Sequence, residues 1–200
     1  MNKAKTFAWC PFTNGEDANE VQSRINTWGS VLLAGHLIIG DDLTAWRRIL
    51  GTVRPTLYIL GHGAEDSPNI YSTGGITRTP EQISASLERN MSYNVNAIEK
   101  IKVFTCHGGN RDGAAHTLKQ RLSLHYNRVR VFGYTKLTWD PSGASPHKGA
   151  GDNAQTGPSM RASAARFEVE PNYGDVAISF ESINLELNTQ DTNKNWCACG

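Results

Sequence analysis

Two residues that can react together stand at the ends of two apolar runs. Leu57-Tyr58-Ile59-Leu60 leads into Gly61-His62-Gly63, and Ile101-Lys102-Val103-Phe104-Thr105 leads into Cys106-His107-Gly108-Gly109. A cysteine attacks as its thiolate, which is scarce at neutral pH because the free thiol titrates near ~8.5. A neighbouring imidazole removes that limit by taking the proton, and it can return it later to a leaving amine. Cys106 is therefore the candidate nucleophile and His62 the candidate base. Gly63, Gly108 and Gly109 would let a substrate backbone come close. The backbone amides of Gly63 and Cys106 are candidate donors for the oxyanion of a tetrahedral intermediate.

Something must bring the two groups together. Short β-rich apolar runs that stop at glycine read as buried parallel strands. In an open α/β sheet, reactive groups collect at the carboxyl ends of neighbouring strands. The rest of the chain fits that scheme. Residues 6–9 predict a first strand, and residues 14–28 a helix with Val21, Ile25 and Trp28 on its inner face. Residues 31–39 predict one or two strands. Asp42 predicts the cap of a helix whose inner face is Leu43, Trp46, Ile49 and Leu50. Thr79-Pro80-Glu81-Gln82 is a helix start with a capping box and Pro at N1. Asp112 is a candidate cap for a helix carrying Ala115, Leu118 and Leu122, directly after the cysteine, where amide groups would favour a thiolate. Residues 129–134 predict another strand. Residues 138–163 turn to Pro, Ser, Gly and Asn and predict a long loop. Residues 166–170 and 176–187 predict a β-hairpin. Strand and helix alternate, so the expected class is α/β with a mostly parallel sheet covered on both faces.

The 200 residues predict a single domain over 1–195, with 196–200 as a flexible tail carrying Cys197 and Cys199. Lys+Arg number 20 against 19 Asp+Glu, a net charge of +1, which gives no general pull toward nucleic acid or anionic membrane. No apolar stretch reaches the ~20 residues that cross a bilayer. Residues 1–7 lack the apolar core of a signal peptide. A soluble protein is expected, cytoplasmic or exported by another route. Cys10, Cys106, Cys197 and Cys199 form no CxxC pair or evenly spaced framework. A zinc site from His62, Cys106 and His107 lacks a close ligand pair at helical or hairpin spacing, so no metal or cofactor is expected. Trp9, Trp28 and Trp46 are expected in the core.

An apolar run ending in His-Gly, followed 44 residues later by one ending in Cys, resembles the caspase-like (clan CD) cysteine peptidases. That group holds caspases, metacaspases, clostripain, gingipains, separase and the self-processing domains of large bacterial toxins. Leu60-Gly61-His62-Gly63 is similar to the metacaspase Ser-Gly-His-Gly segment. Thr105-Cys106-His107-Gly108-Gly109 is similar to the metacaspase Ser-Cys-His-Ser-Gly and caspase Ala-Cys-Arg-Gly segments. The stretch from Gly74-Gly75 to Leu87 looks like the toxin domains. The likeness covers about residues 53 to 135. It implies a caspase-like three-layer sandwich and a Cys106–His62 dyad that cleaves proteins after one preferred P1 residue, in a bacterial effector or self-processing protease. It also implies a substrate pocket built partly by the strand at 129–134 and the loop beyond, where Trp139 and Asp140 lie, with His107 beside the nucleophile. Asp140 would favour a basic P1; Asp41, Asp42 and Asp112 compete for that role. Phe104 replaces the aspartate that metacaspases carry two residues before the cysteine, which speaks against their type of basic pocket. The toxin domains bind inositol hexakisphosphate through a dense basic cluster. Here Arg128, Arg130, Lys136 and Lys148 fall near the corresponding region, overall charge is modest, and no such activator is expected.

Two other readings remain open on these residues. One is a catalytically silent caspase-like domain that binds a partner, with the thiol blocked or too far from His62. The other is a different Cys–His acyl-transfer enzyme, an acyltransferase or deamidase, which predicts a third polar group orienting His62.

Overall fold

The computed structural model of the chain describes residues 3–141 and 148–170. In chain order its first half holds β1 (Thr6–Cys10), α1 (Ala18–Thr27), β2 (Leu37–Ile39), α2 (Leu43–Leu50), β3 (Thr56–Leu60), β4 (Ile70–Tyr71), β5 (Thr77–Arg78) and α3 (Pro80–Asn90). The second holds β6 (Lys100–Phe104), α4 (Ala114–Ser123), β7 (Arg130–Tyr134), β8 (Leu137–Trp139), β9 (Gly149–Gly151), β10 (Met160–Arg161) and β11 (Arg166–Val169). The main sheet has six strands in the order β11-β7-β6-β3-β1-β2. All neighbours are parallel except β11, which runs antiparallel on β7. The chain is thus α/β with a mostly parallel central sheet and four helices.

Both faces of the sheet are covered, which is why β1 and β3 read as nearly unbroken apolar runs. Phe7, Trp9, Leu57, Ile59, Ile101 and Val103 point to one face and pack with Trp46 and Ile49 of α2, Ile83 and Leu87 of α3, and Leu118 and Leu122 of α4. Ala8, Tyr58, Leu60, Phe104 and Tyr134 point to the other, where Trp28, Ala150, Ala162 and Ala165 cover them. Each large apolar side chain taken fully from water on these faces contributes about 1.5–3 kcal/mol. Trp9, Trp28 and Trp46 are all in this core.

Helix starts follow local chemistry. Asp17 Oδ1 accepts from Glu20 N (3.0 Å), and Asp42 Oδ1 accepts from Thr44 N (2.9 Å). Thr79 and Gln82 form the reciprocal capping box, with Pro80 at the first turn. The fourth helix departs from expectation. Its N-cap is Gly113, not Asp112, and no side chain caps it. The turn after Cys106 folds back over the helix start, with Ala115 N donating to Gly108 O (2.7 Å). A Cβ at position 113 would stand 2.7 Å from the His107 carbonyl oxygen, so only glycine fits there. The helix therefore begins after an intervening turn and not directly at Cys106.

Three further expectations change. The first helix starts at Ala18, and its buried face is Glu20, Val21 and Arg24, while Ile25 is exposed. Leu43 of α2 is likewise exposed. The stretch read as a long loop after residue 138 contains a three-stranded antiparallel sheet, β10-β9-β8. Its strands, Leu137–Trp139, Gly149–Gly151 and Met160–Arg161, are two or three residues long, too short for an apolar alternation to mark them. Of the expected C-terminal hairpin, residues 166–169 form β11; residues 176–187, Cys197, Cys199 and the tail lie outside the described residues. No helix among the described residues is long and apolar enough to cross a membrane.

Candidate active site

β3 and β6 pair in parallel with Leu57 opposite Ile101 and Leu60 opposite Phe104. The same offset relates His62 to Cys106, so the two groups leave adjacent strands at matching heights. Just past the strand end His62 is clamped by β4: His62 N donates to Tyr71 O (2.8 Å), and Tyr71 N donates to His62 O (3.0 Å). Gly63 then lies flat on the Cys106 backbone. A Cβ there would stand 2.1 Å from the Cys106 carbonyl oxygen. That contact is backbone on side chain and cannot relax by a rotamer change. Gly63→Ala is expected to cost about 3 kcal/mol, read as a lower urea midpoint, and to pry the β3 and β6 ends apart.

The other glycines also serve the chain itself. A Cβ on Gly108 would meet Thr105 Oγ1 at 2.2 Å, and one on Gly109 would meet the Gly133 carbonyl carbon at 2.8 Å. Gly109 N donates to Tyr134 O (2.9 Å). Their missing side chains let the turn after Cys106 pack onto β7, and the space they leave is filled by protein. His107 sits in this turn with φ of 54°, half-buried, its amide donating to Lys136 O (3.2 Å).

The ring of His62 is oriented by a residue that sequence reasoning did not single out. Glu20 on α1 is fully buried, and its Oε2 accepts from His62 Nε2 (3.0 Å), Thr73 N (3.1 Å) and Thr73 Oγ1 (2.6 Å). Burial alone would raise the Glu20 carboxyl. The His62 hydrogen bond, the Arg24 guanidinium and the Thr73 hydroxyl outweigh it and hold the group at about 2. Glu20 is thus a carboxylate, which only accepts hydrogen bonds, so Nε2 must carry the proton. In the neutral ring the lone pair then falls on Nδ1, which is buried and has no hydrogen-bond partner. One ring nitrogen is thus left open to accept a proton because the other is held by a carboxylate.

Cys106 is fully buried. Thr138 of β8 lies over its sulfur: Thr138 N donates to Sγ at 3.4 Å, and Thr138 Oγ1 is 3.8 Å from it. A substrate carbonyl cannot reach the sulfur in this arrangement unless β8 moves. The other residues expected at a substrate pocket are placed as follows. Trp139 is half-buried on β8 and pairs with Gly149. Asp140 does not face open solvent. Its carboxylate is taken by Arg24 Nη1 and Trp28 Nε1, the latter at 2.7 Å. Asp41 holds Arg89 and Asn90, and Asp42 caps α2.

No protein-family model matches the chain, and no curated protein matches it in sequence. What the site does must follow from its own chemistry.

A second constellation lies at the opposite, amino-terminal end of β1, β3 and β6. A cavity of about 500 Å³ is lined by Lys5, Arg54, Lys100, Lys102, Lys148, Arg161 and Arg166, with Tyr58 and Tyr134 as its aromatic wall. One carboxylate, Glu99, also lines it and is engaged by Arg54 and Lys100. Burial, with Arg166, Lys148 and Lys100 nearby, pulls the Lys102 ammonium down to about 7. Of the four cations singled out in the sequence only Lys148 belongs here. Arg130 pairs with Glu168, Lys136 with Asp152, and the Arg128 amide bonds Asn96.

Proposed function

We propose that this chain is a cysteine endopeptidase of the caspase-like kind, its sheet the centre of a three-layer sandwich, with Cys106 as nucleophile and His62 as base. The observation that carries the reading is the parallel register of β3 and β6, which brings His62 and Cys106 to the same height on neighbouring strands. His62 takes the thiol proton and the thiolate adds to the peptide carbonyl carbon. The oxyanion is held by the Gly63 and Cys106 amides. The C–N bond then breaks as His62 gives its proton to the leaving amine, leaving a thioester on Cys106. A water deprotonated by His62 attacks the thioester, the C–S bond breaks, and the thiolate recovers the proton.

The cover over Cys106 is the blocked thiol that a silent binding domain predicts, and it fits equally an enzyme that is latent in this form. The basic cavity supports a polyphosphorylated effector of the kind the toxin self-processing domains bind, although none was expected from the sequence.

Glu20 favours a second reading. A third polar group on His62 is the feature expected of a Cys–His acyltransferase or deamidase, which would share the thioester step and differ in the acyl donor or acceptor. A peptidyl acyloxymethyl ketone separates the readings. The peptidase labels at Cys106 when the probe is given with inositol hexakisphosphate, loses the label in His62→Ala, and cleaves a peptide library varied at P1. Labelling without any cleavage moves the assignment to another acyl transfer. Labelling that is absent, or equal at every cysteine, leaves the silent binding domain.

A further inference from the structure

Asp140 was expected at a substrate pocket, yet its side chain is 6% exposed and joined to a buried chain of charge. Arg24 Nη1 donates to Asp140, Arg24 Nε donates to Glu20 Oε1 at 2.7 Å, and Glu20 Oε2 holds the His62 ring. Trp28 Nε1 fixes the other Asp140 oxygen. We infer that Asp140 is a positioning residue for the histidine, acting through Arg24 and Glu20; the inference rests on the Cys106–His62 reading above.

The argument is one of charge. Arg24 is 2% exposed and Glu20 0%, so water does little to screen them. Were Arg24 and Glu20 alone, the guanidinium would cancel the carboxylate and leave the ring no counter-charge. Asp140 takes up the guanidinium from the other side. Glu20, Arg24 and Asp140 then sum to one negative charge beside a neutral ring, and to zero beside an imidazolium. Two more charged groups border the set. Asp17 caps α1 at the Glu20 amide, with its second oxygen on Gly74 N, and Lys148 feels Asp140 from the basic cavity. They are of opposite sign and leave the sum as it was. A buried ion pair is weak evidence for stability in itself. This one closes its charge only in the protonation state that a thiolate needs beside it. The same short stretch also supplies Thr138, which touches the sulfur, so residues 138 to 140 hold both reacting groups, one directly and one at a distance.

The test needs no substrate. Iodoacetamide alkylation of Cys106, followed by peptide mass, is timed at pH 6 and pH 9, and the ratio of the two rates cancels accessibility. Asp140→Asn is expected to lower that ratio about tenfold, the change that one pKa unit gives. Asp140→Glu is expected to restore it to within about threefold, and Arg24→Gln with Asp140→Asn together to bring it back toward wild type, since Glu20 then again serves the ring alone. The double variant keeps the net charge and remains informative if Asp140→Asn folds poorly. An unchanged ratio in Asp140→Asn, or an equal fall in all three variants, overturns the inference. Failure to cleave any peptide would sink the peptidase reading without touching this ratio.

Discussion

Glu20→Gln is expected to lower kcat/KM by about 10⁴ while leaving the fold intact and KM little changed. The size follows from tautomer control: an amide in place of the carboxylate that orients a catalytic imidazole allows the proton to sit on the wrong nitrogen, and the known cost of that exchange in a serine protease triad is about 10⁴. Here the wrong nitrogen is Nδ1. A glutamine can turn its NH₂ toward Nε2, moving the ring proton to the face that should accept from Cys106. The same variant alters acid stability in a defined direction. The Glu20 carboxyl falls from 4.5 to about 2 on folding, so its contribution is complete above about pH 4.5 and is lost as pH falls through 2. A drop of that size corresponds to about 3 kcal/mol. Urea midpoints measured from pH 6 down to pH 2 should fall less steeply in Glu20→Gln than in the wild type. Activity within threefold of wild type would show that the carboxylate does not set the tautomer.

What the sequence made legible was what is local. The apolar runs gave strands because both faces of the sheet are buried. Asp42 and the Thr79–Gln82 box gave helix starts because a cap is a contact over two or three residues. His62 and Cys106 could be paired because parallel strands in register convert a spacing into a shared height. Glu20 and Arg24 were invisible for the opposite reason. A charged pair at i and i+4 ordinarily marks a solvated helix face, and Ile25 beside it looked like the buried residue. The helix is rotated so that the ion pair faces inward, and only contacts from residues 42, 53 and 116 positions away in sequence, His62, Thr73 and Asp140, reveal it. The basic cavity was hidden in the same way. Its cations come from segments scattered along the chain, and a net charge of +1 says nothing of how charge is distributed.

That cavity makes the second large prediction. Seven cationic side chains around about 500 Å³ repel one another when the space holds only water and small ions. Lys102 reports the strain: burial and its cationic neighbours take it from 10.5 to about 7. Below about pH 7 the folded protein carries a desolvated ammonium that the unfolded chain does not. The penalty is relieved as pH rises from 7 to 10.5, because there the unfolded state binds the extra proton. Stability of the empty protein is therefore expected to climb over that window, and Lys102→Met should be more stable than wild type at pH 6.5. A polyphosphate reverses the sign. At pH 8 and 0.1 M salt, inositol hexakisphosphate is expected to raise Tm by more than about 5 °C at saturating concentration. It should also draw up to one more proton per molecule bound in the wild type than in Lys102→Met, measured calorimetrically in buffers of different ionisation enthalpy. Lys102→Met is expected to bind at least tenfold more weakly despite its higher intrinsic stability, a combination that plain loss of packing does not produce. Sulfate at matched ionic strength should give little shift, since one dianion cannot span the ring of cations. Equal stabilisation by sulfate, or proton uptake identical in the two proteins, would mean that the cavity is only a patch of screened surface charge.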